Sequence, residues 1–547
     1  MRPPAQTVSN QVPDLADYNL FTADTALAEG VRCFHAGWHS RHLVQLGERL
    51  GQSEVMRLGE PANRHPPELL THDRLGNRID QVEFHPSWHE LLGMLRQENL
   101  HALPWMQPGQ GAHVARAAGY FMHGQIEAGS LCPTTMTFAS IPVLREEPAL
   151  YAALQPKLFS CTHDPRDLPI RQKESILIGM GMTEKQGGSD LRTNTALARP
   201  IGAGGRGMEY RLSGHKWFFS APMCDAHLVL AQSGGGLSCF FVPRWRPDGS
   251  KNAIFIQRLK DKLGNRSNSS SEVEFQDAYG VMVGEENRGI ATIIEMANYT
   301  RLDCVIGSAA LMRQAFSQAA HHAQHRMAFG RYLSEQPLML NVLCDLALES
   351  EAATWLMLRL ARACDSPDDP LQHAWRRIVT PAAKFWICKR AIEVTGECME
   401  IWGGNGYVEN APMARLYREA PVNSIWEGSG NVMCLDMLRA MERNPQGLEN
   451  LLGELDETSS EHPTLHSTVS SLHSALSLSG AERKPQARRI AQALIIAIQG
   501  SLLLRHAPNF MAEAFIKSRS DPAAGRVFGS MPSATVQQAI LDRAWPA

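Results

Sequence analysis

The 547-residue chain lacks several features that would fix its class at once. It has no C-x-x-C pair, and its eleven cysteines, an odd number, are scattered from Cys33 to Cys434. That pattern excludes a disulfide framework and a clustered metal site. It fits reduced thiols used as small core residues in a cytoplasmic protein. The N-terminal stretch MRPPAQTVSNQVPDL has no apolar core, so no signal peptide is expected. No apolar run is long enough for a bilayer, and no membrane association is expected. The longest, Ile490–Leu504, is fifteen residues interrupted by Gln492, Gln499 and Gly500, and reads as a buried helix. Net charge is also scarce, at −3, so any affinity for nucleic acid must come from a local patch. There is no internal repeat, helix-turn-helix or zinc-finger pattern, and base-specific reading of DNA has no support.

What is present is ordinary globular composition, 44% hydrophobic and 20% charged, at a length that suggests about three or four domains. Residues 1–175 read as a helical domain, with helical spacing over Ala26–Gly37 and Ala112–Ala128 and loops at Glu60–Pro67 and Cys161–Pro169. Residues 176–289 change texture. AHLVLAQ, LSCFFVP, NAIFIQ and SEVEFQD are separated by Gly, Ser and Asn, the punctuation of a small antiparallel sheet or barrel. Residues 290–443 return to helix, with a long amphipathic stretch over 341–364 ended by SPDDP. A second follows around Trp375–Trp402, kinked or restarted near Pro381. Long helices with short connections suggest an antiparallel bundle. Residues 444–547 read as an appended helical domain. Across 482–526 it carries eight basic residues against three acidic, although 441–547 as a whole holds ten of each. The fold class expected is α+β and mostly helical.

The chemistry gathers in separated short stretches. SIWEGSGN (424–431) sets Glu427 beside Trp426 and ahead of Gly428, Ser429, Gly430 and Asn431. Read alone, Glu427 is either a partly desolvated base or an acid before a turn. MTEKQGGSD (182–190) pairs hydroxyls, Thr183 and Ser189, with glycines that let backbone approach a planar ligand. GHKWFFSAP (214–222) offers aromatic faces and the Ser220 hydroxyl, or equally a strand with core aromatics. KLGNRSNSSSEVEF (262–275), VGEENRG (283–289), HRMAFG (325–330) and IWGGNGY (401–407) follow.

Together and in this order these stretches resemble the acyl-CoA dehydrogenase family over roughly residues 100–440. The resemblance implies that family's fold: an N-terminal helical domain, a small β domain and a helix bundle. It also implies an FAD cofactor. Met182, Thr183, Gly188 and Ser189 would meet the flavin and the acyl thioester end. Phe218 would cover the ring with Phe219 beside it, and Ser220 would bond flavin N5. Arg326, Phe329 and Gln336 would grip the pyrophosphate and adenine end across a subunit interface, where a planar guanidinium suits phosphate. Gly403, Gly404, Ile425, Trp426, Gly428, Ser429, Gly430 and Asn431 complete the implied cofactor contacts. Glu427 aligns with the base that removes the substrate α-proton, and Arg301 with an arginine near it. Lys185 stands where the family has Pro, Gly187 where it has Ala, and Glu400 where it has Gln. MTEKQGGSD, GHKWFFS, KDKLGNRSN and PVNSIWEGSGNVMCLD, with the appended domain, resemble the alkylation-response (AidB) branch over essentially the whole chain.

That branch implies a homotetrameric FAD protein with weak acyl-CoA dehydrogenase activity and an acyl-CoA ligand. It also implies binding to double-stranded DNA and protection of it against alkylating agents. Candidate phosphate contacts are Arg439, Arg443, Arg483, Lys484, Arg488, Arg489, Arg505, Lys517 and Arg519. On charge alone they equally describe a solvated helical face. Two further readings stay open: a metabolic acyl-CoA dehydrogenase whose extra domain builds the oligomer, and a flavin-bound scaffold without turnover.

Overall fold

The computed structural model describes residues 9–520, 527–531 and 536–545. The first eight residues of the N-terminal stretch, and Asp521 and Arg526 of the basic segment, lie outside them. The described chain runs helices, strands, helices, the mostly helical α+β order expected from the sequence. Its tertiary contacts form two compact units, which cut across the four segments expected from sequence.

One unit contains residues 57–304 and 426–429. Its centre is a seven-stranded sheet. Strand Ala226–Ser233 pairs with Gly236–Pro243, which pairs with Ser270–Val283, then Glu209–Ser220, then Leu197–Pro200, and that strand returns to the first, so the sheet closes. Two pairings are parallel, Ile178–Gly181 and Leu197–Pro200 each against Ala226–Ser233, so the barrel is mixed and not purely antiparallel. Alternation along the strands sends Tyr210, Leu212, Phe219, Phe240, Ile256 and Phe275 into one apolar core.

The helical reading of residues 1–175 also missed a hairpin, Glu68–His72 against Arg78–Glu83. Its strands are rich in Glu, His, Arg and Asp and half-exposed, so they carry little apolar alternation. Its turn is built by Asp73, which accepts from the amides of Leu75 and Asn77 at 2.8 Å, and by Gly76 at φ +84°. Residues 59–64, expected as part of a loop, form a short helix, since Pro61 falls in its first turn, where no N–H is needed.

The other unit contains the described residues of 1–56, 305–425 and 430–547. Helix Pro337–Cys364 starts with Pro at its first turn, and Asp369 caps the next helix by accepting from Leu371 and Gln372 at 2.9 Å. The expected interruption at Pro381 takes a definite form. Trp375–Val379 make one π turn before Thr380–Ile401 begins, as the proline has no N–H to continue the ladder.

Helix Ala487–His506 holds the long apolar run. It is buried against Pro337–Cys364, Thr380–Ile401 and Gly430–Arg443, so the C-terminal segment is part of this core. By length and composition, among the described residues, this stretch is the one helix that could cross a membrane, and most of it is enclosed.

Among the described residues, Asp164, Asp167, Glu184 and Glu349 are held far below their ordinary range, and the two glutamates show the cause. Burial alone would raise Glu349, but Arg390 (3.1 Å) and Arg519 (2.8 Å) hold it at about 2. Burial would likewise raise Glu184, but Lys216 at 2.8 Å holds it at about 2. A depressed folded value stabilises above the unfolded one and is lost as pH falls through the folded one. Stability is therefore expected to hold down to the ordinary carboxyl value of 4.5 and to decline from there toward 2. Urea melts across that range test it, and a flat profile would overturn it.

Candidate active site

Strand Glu209–Ser220 and the loop before it build one wall of the site. A bulge between Lys216 and Phe219 rotates the strand end, so Phe218 is 52% exposed while Phe219 is fully buried, stacked on His227 at 4.1 Å between ring centres. Phe219 was expected among the flavin contacts. The pleat turns it into the barrel core, where its side chain cannot serve. Lys260 Nζ lies 4.5 Å from the Phe218 ring centre and 4.0 Å from that of Trp217.

The 182–190 loop is tied to this strand end. Thr183 bridges Phe218, and its carbonyl accepts from the Trp217 amide at 2.8 Å. A Cβ on Gly188 would come within 2.5 Å of Thr183 Oγ1, so only glycine fits there. Gly187, at φ +126°, faces open space. Beneath the loop, Glu184 accepts from Lys216 at 2.8 Å, the Thr195 amide at 2.7 Å and the Ala196 amide at 3.2 Å. Neither Glu184 nor Lys216 stands out in the sequence, because a buried ion pair between strands has no short-range signature. Ser189 is exposed, and Met182 is half-buried with its carbonyl taken by Asn194 at 2.8 Å.

Glu427 lies in the second wall. It sits in the left-handed region at φ +59°, ahead of Gly428 at φ +104°, and such strain in a side-chain-bearing residue is held by its surroundings. Here helix Gly289–His325 holds it. Thr300 Oγ1 donates to Glu427 Oε2 at 2.6 Å, and Arg301 Nε donates to the Glu427 main-chain oxygen at 3.1 Å. Arg301, expected as a catalytic group, holds the loop backbone at Glu427. Thr300 was missed, although it stands next to Arg301 in the same stretch, YTRLD.

The two walls meet at Cys132, near the start of helix Leu131–Arg145. Burial pushes its thiol up to about 12; the Asn268 and Ser220 side chains lie near it, and it feels the charges of Glu427 and Lys262. Cys132 therefore lies near both Ser220 and Glu427. Its thiol stays protonated at neutral pH and is a weak nucleophile.

In the other unit, Arg326 donates to the Asn10 carbonyl, and Gln336 Nε2 donates to Ala328 O at 3.1 Å, closing the hairpin Met327–Ala328/Arg331–Tyr332. Phe329 at its tip is 98% exposed with φ +52°. Gly403, at φ +60°, and Gly404 have no atom within 4 Å of a built Cβ, so backbone there is open to a ligand. Ile425 is exposed.

Gly430 and Asn431 act otherwise than expected. Gly430 is packed under Lys389, Phe385 and Arg488, and Asn431 Oδ1 accepts from Arg488 Nε at 2.8 Å, joining Gly430–Arg443 to Ala487–His506. Trp426, Gly428 and Ser429 are half-buried to exposed around Glu427.

The residues fit FAD on structural grounds: an exposed aromatic face, a hydroxyl at its edge, and glycines that a Cβ would block or whose backbone lies open. Bound there, FAD supplies a hydride acceptor.

The basic candidates divide. Arg439, Arg443, Lys484, Arg489 and Lys517 are exposed. Arg519 is not available: it pairs with Asp345 and Glu349 and its side chain is 12% exposed. Arg505 is held by Glu454 at 3.0 Å, Arg483 lies 3.8 Å from Glu442, and Arg488 is engaged by Asn431. These corrections share a cause: sequence gives the charge of a helix, not which acids fold against it.

Residues 10–165 match the adaptive response protein AidB N-terminal domain. Residues 179–278 and 287–442 match the middle and C-terminal domains of acyl-CoA dehydrogenases. AidB of Escherichia coli K12 is 49% identical over 525 residues, 95% of each chain. The solved structure of Caenorhabditis elegans ACDH-11 in complex with C11-CoA superposes with a TM-score of 0.85 at 24% identity, over 100% of this chain and 98% of that one. That of a Bacillus anthracis acyl-CoA dehydrogenase complexed with FAD gives 0.64 at 18%, over 84% and 85%. By these matches, and with a strained glutamate held by its neighbouring helix, the chain belongs to the acyl-CoA dehydrogenase family of FAD-dependent oxidoreductases, in its AidB branch.

Proposed function

We propose that the chain is an FAD-bound oxidoreductase of the adaptive response to DNA alkylation. In this reading it binds duplex DNA through phosphate contacts and protects it or destroys alkylating agents, with weak dehydrogenation of an acyl-CoA. The observation that carries the redox half is the hold of Thr300 and Arg301 on Glu427 in its left-handed turn, with Cys132 near both Glu427 and Ser220. Glu427 takes the α-proton of the acyl group, the β-hydrogen leaves as hydride, and a Cα=Cβ bond results. Thr300 and Arg301 hold the base, and the 182–190 loop with Phe218 holds the ring. The C11-CoA bound by the nematode protein supports an acyl-CoA ligand.

The match of residues 10–165 to the adaptive response protein AidB N-terminal domain, with the likeness to Escherichia coli AidB, supports an adaptive-response role. We further propose a homotetramer in the cytoplasm. The projecting Phe329 hairpin supports assembly, and eleven cysteines outside any disulfide support a reducing compartment. One observation favours the metabolic alternative with an oligomer-building C-terminal segment: Arg483, Arg505 and Arg519 face acids of this chain.

Duplex-DNA binding against salt separates the two. The protective reading expects log K to fall steeply with log salt. Replacing Arg439, Arg443, Lys484 and Arg489 with Glu should flatten the slope by about 0.9 for each phosphate that these side chains neutralise. No binding by the full chain at low salt would remove the DNA role.

A further inference from the structure

The Thr300 hydroxyl has one hydrogen and two acceptors. Its oxygen lies 2.6 Å from Glu427 Oε2 and 3.1 Å from the Ala297 carbonyl, and the residue is 2% exposed. The shorter contact has the length of a charge-assisted O–H···O⁻ bond. The longer one is the ordinary back-bond that a helical threonine makes to its own preceding turn. A hydroxyl between two such acceptors can serve either state of a carboxyl group. Facing a carboxylate, it donates to Glu427. Facing a carboxylic acid, it turns its hydrogen to Ala297 and accepts the proton of Glu427.

We infer that Thr300 is a positioning residue that follows the proton of Glu427, holding the carboxyl in one place before and after it takes the substrate's α-proton. The inference rests on Glu427 being the base. In the transfer the α-carbon's proton bonds to a Glu427 oxygen, the C–H electron pair stays on the substrate, and the Thr300 hydrogen rotates without leaving its oxygen. The need for such a group follows from the loop. Glu427 occupies a left-handed turn, with its main-chain oxygen fixed by Arg301 at 3.1 Å, so the backbone is anchored while the carboxyl needs its own restraint. Among the charged and titratable groups near the carboxyl are Arg301 on the same helix and Cys132 on helix Leu131–Arg145, with Lys262 near Cys132. Thr300 touches the carboxyl oxygen itself.

The test uses FAD-loaded protein, a panel of acyl-CoA thioesters under anaerobic conditions, and Thr300→Val, Thr300→Ser and Glu427→Gln. Valine keeps the shape and removes the hydroxyl; serine restores it. The pH profile of flavin bleaching is read alongside an infrared titration of the Glu427 carboxyl in the flavin-free protein, assigned by its loss in Glu427→Gln. Thr300→Val should move the midpoint upward in both by roughly one unit and slow bleaching by about fivefold at the wild-type midpoint. Thr300→Ser should restore both. An unmoved midpoint in Thr300→Val, with Glu427→Gln inactive, overturns the role of Thr300 alone. Bleaching that survives Glu427→Gln overturns the assignment of the base, and this inference with it.

Discussion

Glu427→Gln is expected to reduce anaerobic bleaching of bound FAD by an acyl-CoA by roughly 10²–10⁴-fold, the usual contribution of a positioned general base. The amide is nearly isosteric, so the turn at φ +59° and the Arg301 contact to the main-chain oxygen remain, and the flavin spectrum should be unchanged. Thr300 keeps an oxygen to bond. What is lost is the site that accepts the α-proton. Rapid-mixing absorbance of the oxidised flavin band checks it. Bleaching at the wild-type rate would mean that the glutamate serves the turn and that another group takes the proton. Of the titratable groups near it, Cys132 is an unsuitable substitute, since burial keeps its thiol protonated.

Lys216→Met should cost about 3–5 kcal/mol, the penalty for stranding one partner of a buried ion pair. Both side chains of the Lys216–Glu184 pair are fully buried. Methionine fills much the same space, so the loss reports the charge and not a cavity. Glu184 would then remain against the Thr195 and Ala196 amides with no cation. Because Glu184 lies in the 182–190 loop and Lys216 begins the bulge that turns Phe218 outward, FAD affinity should fall as well. Urea melts followed by flavin fluorescence measure both. Adding Glu184→Gln should recover part of the loss, because the stranded charge is removed. Equal stability of wild type and Lys216→Met would show that the pair has no structural role.

Much of the site was legible because it lies in short stretches whose spacing is itself chemical. Gly187 and Gly188 beside Thr183, Phe218 two residues before Ser220, and Glu427 before Gly428 each pair a backbone need with a side-chain need inside one turn or strand. Phe219 escaped the reading because strand alternation with a bulge decides which of two adjacent phenylalanines faces out. Glu184–Lys216 and Thr300–Glu427 escaped it because their partners are 32 and 127 residues apart. The hairpin at 68–83 escaped it because its half-exposed strands carry too few apolar residues to show a period of two.

By itself the sequence determined the order of helices and strands, the interruption at Pro381, the buried character of Ile490–Leu504 and the residue types of a flavin and base site. Each depends on neighbours within a few positions, where backbone geometry and apolar periodicity act. Only the tertiary structure decided that residues 9–56 and the described part of the C-terminal segment share one unit with the bundle, and that Gly430 and Asn431 take part in packing. It likewise decided that Arg519 neutralises Glu349 and is withheld from any phosphate, and that Thr300 holds the carboxyl of Glu427. Those outcomes depend on which distant groups desolvate one another, and charge, burial and hydrogen bonding at such contacts exist only once the chain has closed on itself.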